Sequence, residues 1–129
     1  MGREEHDMSK ILIVDDNEAN REILRMRLEK LGHDVIDAEN GEQGLLRADA
    51  ECPDLIFLDV MMPGKDGWQI CQALKQNLKT QKTPVIMLTA LSEATAELRA
   101  QHSEPDDFMG KPWAPNDLKA ILTKWLVAA

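Results

Sequence analysis

Three aspartates, a threonine and a lysine stand directly after short apolar runs. Asp15 and Asp16 follow Ile11-Leu12-Ile13-Val14, Asp59 follows Leu55-Ile56-Phe57-Leu58, Thr89 follows Val85-Ile86-Met87-Leu88, and Lys111 follows Phe108-Met109-Gly110. The first three runs are β-branched or leucine-rich, the pattern of strands buried on both faces of a parallel sheet. Polar groups that end such strands gather at the carboxyl edge of the sheet, where ligands bind. Converging there, Asp15, Asp16 and Asp59 would make an all-oxygen cation site of the kind that suits Mg²⁺. Asp59 has a second competence, because a carboxylate attacks an activated phosphoryl group to form an acyl phosphate. Repulsion between anions opposes that attack. A cation on Asp15 and Asp16, the Lys111 ammonium and a hydrogen bond from the Thr89 hydroxyl would offset it.

Positioning these groups requires a regular frame. After the first strand, Asn17 can cap a helix ending near Leu31, with Ile23, Leu24, Leu28 and Leu31 as its apolar stripe and Gly32 as its stop. A second strand covers residues 35–38, and Asn40-Gly41 turns the chain into a helix over 42–49. Pro53 precedes the third strand. A loop with Gly64 and Gly67 follows, then a helix over 68–78 carrying Ile70, Cys71 and Leu74. Thr83-Pro84 introduces the fourth strand. Ser92 can cap a fourth helix over 92–101, alanine-rich and expected to pack loosely around Leu98. A short fifth strand covers 108–110, and Pro115 or Asn116 opens a fifth helix bearing Leu118, Ile121, Leu122, Trp125 and Leu126. Strands alternating with helices predict an α/β fold with a parallel sheet and right-handed crossovers.

With 129 residues, the chain suffices for one well-buried core. Its 43% hydrophobic and 29% charged residues fit a globular rather than a disordered chain. A net charge of -8 argues against nucleic-acid binding by this domain. No apolar run approaches the ~20 residues of a membrane span, and the start of the chain has neither a signal core nor a transit pattern. Residues 1–8 read as a flexible tail, with His6 solvated. Cys52 and Cys71 lack metal-type spacing and read as thiols, which fits a reducing cytoplasm.

The motifs Ile-Leu-Ile-Val-Asp15-Asp16-Asn-Glu, Asp59-Val-Met-Met-Pro63-Gly-Lys-Asp66-Gly67, Leu-Thr89-Ala90 and Asp-Asp-Phe108-Met-Gly-Lys111-Pro112 together resemble the receiver domain of two-component response regulators. The resemblance runs over about residues 9–127, making 9–129 one receiver domain. It implies a flavodoxin-like, doubly wound sheet of five parallel strands in the order 2-1-3-4-5 with five helices. It further implies that Asp59 accepts a phosphoryl group from a histidine kinase phosphohistidine, a phosphotransfer protein or a small phosphodonor. Asp15, Asp16, Asp59 and the Met61 carbonyl would hold Mg²⁺, while Thr89 and Lys111 bind the phosphoryl group. In such domains the Thr89 hydroxyl is coupled to the aromatic at Phe108. Movement of that pair alters the face of the fourth helix, fifth strand and fifth helix for a downstream target, an output domain or a second copy. The Lys111-Pro112 bond is typically cis in the family, and the sequence permits either form.

Other residues have plainer readings. Met61, Met62 and Met87 pack rather than ligate. His33 and His102 are solvated, and the Arg21, Arg25, Arg27 group is a solvated helix face. Trp68 and Trp125 pack, whereas Trp113 is placed to cover the active edge or meet a partner. Three departures from the family pattern stand out. Met61 and Leu91 are apolar where side chains influence the hydrolytic water, which predicts a persistent phosphoryl state. Ser103-Glu104-Pro105 replaces the common Gly-Ala, and Phe108 stands where Tyr is frequent. Two rival functions are an Asp-nucleophile, Mg²⁺-dependent phosphohydrolase and a docking module that is never phosphorylated. The former is disfavoured because its second Asp falls two residues after the first, the latter by the complete acidic, hydroxyl and lysine set. No Gly-x-Gly-x-x-Gly follows the first strand, which disfavours a dinucleotide site. No output domain fits after Lys111, so the chain reads as a stand-alone regulator or a receiver from a longer protein.

Overall fold

A computed structural model describes residues 9–60, 62, 67–89 and 105–126. Their elements run β1 (Lys10–Val14), α1 (Glu18–Lys30), β2 (Asp34–Ala38), α2 (Gly41–Glu51), β3 (Leu55–Asp59), α3 (Gly67–Gln76), β4 (Val85–Thr89), β5 (Asp107–Gly110) and α4 (Pro115–Leu126). The five strands form one parallel sheet in the order β2-β1-β3-β4-β5. This is the flavodoxin-like arrangement, with the chain reversing its direction of winding between β1 and β3. The helix expected over 92–101 lies outside the described residues, as do Met61, Leu91, His6, His102, Ser103 and Glu104. Four helices are therefore described, and α4 is the fifth of the sequence-based expectation.

Strand alternation splits the core into two layers. Ile11, Ile13, Leu55, Phe57, Ile86, Leu88 and Met109 face α1 and α4, packing with Leu24, Leu28, Leu118, Ile121 and Leu122. Leu12, Val14, Ile56, Leu58, Val85 and Met87 face α2 and α3, packing with Ala48, Ile70, Cys71 and Leu74. Because both faces are covered, the central strands β1, β3 and β4 are apolar at nearly every position and end where the polar residues begin.

Helix boundaries follow local chemistry. The Asn17 side chain accepts from the Asn20 N–H at 2.9 Å, and Asn40 accepts from the Gln43 N–H at 2.8 Å, each satisfying an otherwise free donor of a first turn. Gly32 leaves α1 with φ 93°, a conformation that favours glycine. The stripe of α1 is narrower than its spacing suggested. Leu24 and Leu28 are buried, but Ile23 and Leu31 are exposed because the helix meets the sheet along a single line of side chains. His33 is half-buried rather than solvated. Both cysteines are free thiols, Cys71 buried and Cys52 exposed.

The C-terminal helix is tied to β5 by a polar clamp. The Asp107 carboxylate accepts from Trp125 Nε1 at 2.9 Å and from the Phe108 N–H at 2.8 Å, and it lies 3.4 Å from Lys124 Nζ. Burial pushes this carboxyl up, but the bonds from Trp125 and Phe108 and the Lys124 charge outweigh it and hold it below the usual carboxylate range. Trp125 thus packs as expected and adds a hydrogen bond.

Candidate functional site: an acidic cluster at the sheet edge

The carboxyl ends of β1 and β3 and the segment after β5 bring the acidic groups and the lysine together. The chain leaves β1 through Asp15, whose N–H still donates to the Ala38 carbonyl at 3.2 Å, extending the ladder by one residue. Asp15 Oδ1 accepts from the Asn17 N–H at 2.9 Å. The turn that starts α1 therefore also orients this carboxylate. Its other oxygen, Oδ2, lies 3.2 Å from Lys111 Nζ.

Asp59 ends β3 beside Leu88 of β4, and its Oδ1 lies 3.3 Å from the same Lys111 Nζ. Gly67 fits close against this point. A Cβ there would collide with the Asp59 carbonyl and the Val60 Cα, and the Gly67 N–H donates to the Val60 carbonyl at 2.9 Å. Only a residue without a side chain lets α3 begin so near the Asp59 backbone. Lys111 is anchored in turn by its N–H, which donates to the Thr89 carbonyl at 2.7 Å and continues the ladder past β5. The Lys111-Pro112 bond is cis.

Asp15 and Asp59 are 1% and 5% exposed, whereas Asp16 faces solvent. Each of the three offers a carboxylate oxygen within 4.8 Å of the others. Among the described residues, one ammonium is set against three carboxylates, which leaves the cluster negative. The donor set is hard, all-oxygen and partly open to water, which fits Mg²⁺ and disfavours soft metals. Met61, whose carbonyl the resemblance adds to the set, lies outside the described residues.

Thr89 is buried at the end of β4 and continues the Met87 row, whereas Asp59 continues the Phe57 row. Phe108 pairs with Met87 across β4 and β5, and its half-buried ring lies against Trp68 with centroids 6.0 Å apart and planes at 53°. Thr89 and Phe108 therefore share the sheet face covered by α3. Trp113 packs on the opposite core layer and lines a cavity of about 510 Å³ between α1 and α4, together with Ile23, Leu24, Pro112, Asp15 and Lys111.

The arginines of α1 do not form a simple solvated face. Arg21 Nη1 donates to the Asp15 carbonyl at 2.8 Å, and its Nε lies 3.4 Å from Asp37 Oδ2. Arg25 reaches the same Asp37 oxygen at 3.0 Å and donates to the Val35 carbonyl at 3.1 Å. Burial lowers the Arg25 guanidinium, but the hydrogen bond and charge of Asp37 more than restore it, and its pKa is raised. Only Arg27 keeps the expected exposed position. A usable signal was present: Arg21 and Arg25 are four residues apart on one helix face, with an unassigned Asp37 in the strand beside it.

The response regulator receiver domain model matches residues 11–123. The alkaline phosphatase synthesis transcriptional regulatory protein PhoP of Bacillus subtilis (strain 168) is 42% identical over 124 residues, covering 93% of this chain and 51% of that protein. The chain spans about half the length of the curated relatives it matches. Among solved structures, the chemotaxis protein CheY4 of Vibrio cholerae superimposes with a TM-score of 0.84 at 27% identity, covering 92% of this chain and 98% of that one. The receiver domain of sensor histidine kinase PA1611 from Pseudomonas aeruginosa PAO1, which holds a magnesium ion in its active-site cleft, gives 0.83 at 28% identity with the same coverage. With its sheet order, its acidic edge and a family match across nearly all of its length, the chain belongs to the response regulator receiver domain family of two-component signalling.

Proposed function

We propose that the chain is the phospho-acceptor of a two-component relay, with Asp59 as the phosphorylated residue. The observation that carries this reading is the Lys111 ammonium within 3.3 Å of both Asp15 and Asp59, beside the carboxylate oxygens clustered with Asp16. An Asp59 oxygen attacks phosphorus, the P–N bond of a donor phosphohistidine breaks, and its electron pair returns to the imidazole. Asp15, Asp16, Asp59 and the Met61 carbonyl would hold Mg²⁺, which would supply positive charge for the transferring oxygens. Lys111 exchanges its Asp59 contact for a phosphoryl oxygen, and the Thr89 hydroxyl donates to another. The Asp15 carboxylate is oriented by the Asn17 N–H, which donates to its Oδ1. The product has no separate substrate to release, so the domain promotes its own modification and is not a turnover enzyme.

The modification adds about -1.5 to -2 charges. It acts as a switch to the extent that the phosphoryl group makes different contacts in two conformations. Thr89, drawn toward the phosphoryl oxygens, vacates space beside Phe108 on the same sheet face. Inward turning of that ring then changes the surface of β5 and α4. Such a surface suits a downstream protein, an output domain or a second phosphorylated copy. The phosphoryl source is a histidine kinase or phosphotransfer protein in the cytoplasm. The charge of -8 opposes binding of nucleic acid by this domain. Among the described residues no helix is long and apolar enough to cross a membrane.

The test is incubation with acetyl phosphate and Mg²⁺, followed by intact-mass and peptide analysis. One phosphoryl group per chain at Asp59, absent in Asp59→Asn and in chelator, supports the assignment. Continuous phosphate release without a labelled intermediate would point to a phosphohydrolase. No labelling at all would leave a docking module.

A further inference from the structure

We propose that Arg21 is a positioning residue for the acidic cluster, acting through the main chain that joins Asp15 to Asp16. Among the described residues Asp15 makes four polar contacts, three of which are the N–H to Ala38, Oδ1 to Asn17 and Oδ2 to Lys111. The fourth is its carbonyl, which lies past the last strand residue and accepts from Arg21 Nη1 at 2.8 Å. That carbonyl and the Asp16 nitrogen belong to one planar peptide unit. Rotation of the unit would turn Asp16 relative to Asp15. Asp15 is locked by burial, but Asp16 is exposed, so its direction depends on the peptide plane that Arg21 holds.

The guanidinium is itself held. Its Nε lies 3.4 Å from Asp37, a β2 residue paired with Ile13 of β1, and the Arg21 side chain is only 15% exposed. Arg25 braces Asp37 from the next turn of α1. A planar fork with separated donors can span the Asp15 carbonyl and Asp37 together, which a lysine ammonium cannot do with the same geometry. The arrangement is unexpected on charge alone. A cation placed next to a cation site opposes binding there, so the arginine must contribute through geometry.

That conflict sets the sign of the test. The inference rests on the proposed Mg²⁺ site and is read by Mg²⁺ titration of the unphosphorylated protein, by calorimetry or tryptophan fluorescence. Arg21→Met removes a positive charge, and electrostatics alone predicts tighter Mg²⁺ binding. Positioning predicts the reverse, a weakening of about tenfold, the low end for residues that orient metal ligands. Arg21→Lys keeps the charge, loses the fork and should fall between wild type and Arg21→Met. Thermal melts establish that each variant is folded. A folded Arg21→Met protein that binds Mg²⁺ as tightly as wild type, or tighter, overturns the inference. Should that variant not fold, unchanged affinity in Arg21→Lys overturns it equally. Wild-type protein that binds no Mg²⁺ removes the cation site itself and this inference with it. Normal wild-type binding with unaltered variants removes the role of Arg21 alone.

Discussion

Replacing Lys111 by Met removes a cation that touches both Asp15 and Asp59 while keeping a side chain of similar length. Each contact, at 3.2 and 3.3 Å, has a gross attraction of about 5 kcal/mol at an effective dielectric constant of about 20. Desolvation of the charges cancels much of that. Breaking a buried pair from one side typically costs about 3–5 kcal/mol, because the remaining charge is stranded. The Lys111 side chain is 23% exposed and Asp16 faces water, so the low end, about 3 kcal/mol, is the appropriate figure. For a domain of this size that corresponds to a melting temperature lower by about 10 °C in chelator. The deficit should shrink when Mg²⁺ is added, since the variant presents more uncompensated negative charge to the ion. Saturation at about a hundred times the dissociation constant contributes about 2.7 kcal/mol. Thermal and urea unfolding of wild type and variant, each in chelator and in excess Mg²⁺, measure both quantities. Equal stability in chelator, or a deficit that Mg²⁺ leaves untouched, would refute the view that Lys111 balances the buried carboxylates.

Two further outcomes follow from the structure. Asp107 has a folded-state pKa below its unfolded value, so the clamp stabilises above the unfolded pKa and is lost as pH falls through the folded one. Asp107→Asn should cost about 1.5–3 kcal/mol at neutral pH, as for hydrogen bonds to a charged group, and the difference from wild type should narrow below about pH 4 in urea titrations. Gly67→Ala forces a methyl group against the Asp59 carbonyl and should cost about 1–3 kcal/mol by overpacking. It should also slow acetyl phosphate labelling of Asp59, measured by intact mass, which an equally destabilising change at Leu122 should not do.

The strands were legible because their function in the fold is written into composition. A run such as Leu55-Ile56-Phe57-Leu58 has no solvent face, and the polar residue after it marks the edge where the chain leaves the core. Asn17 and Asn40 were legible as caps because a short amide at a helix start has a single obvious use. Side-chain exposure along α1 was harder to read. Ile23 fits the helical period as well as Leu24 does, and only the line of contact with the sheet separates them. The arginines were harder still. A charged residue on a helix is usually solvated, and the spacing of Arg21 and Arg25 hints at a shared anion such as Asp37 but not at a carbonyl six residues back. Trp125 shows the same limit, because helical spacing predicts its packing but not the indole bond to Asp107. The configuration at Lys111-Pro112 was left open by the sequence, since tertiary context decides between the two isomers.

The alternation that sets Asp59 in the row of Phe57, and Thr89 in the row of Met87 beside Phe108, makes the sheet a partition with one shared rim. On the proposed reading of Asp59 and Thr89, an event at the rim reaches the α3 flank through Thr89 and Phe108 without crossing the sheet. On that reading, substitutions around Trp68 and Phe108 alter what is sensed on that flank while leaving the contacts of Lys111 with Asp15 and Asp59 in place.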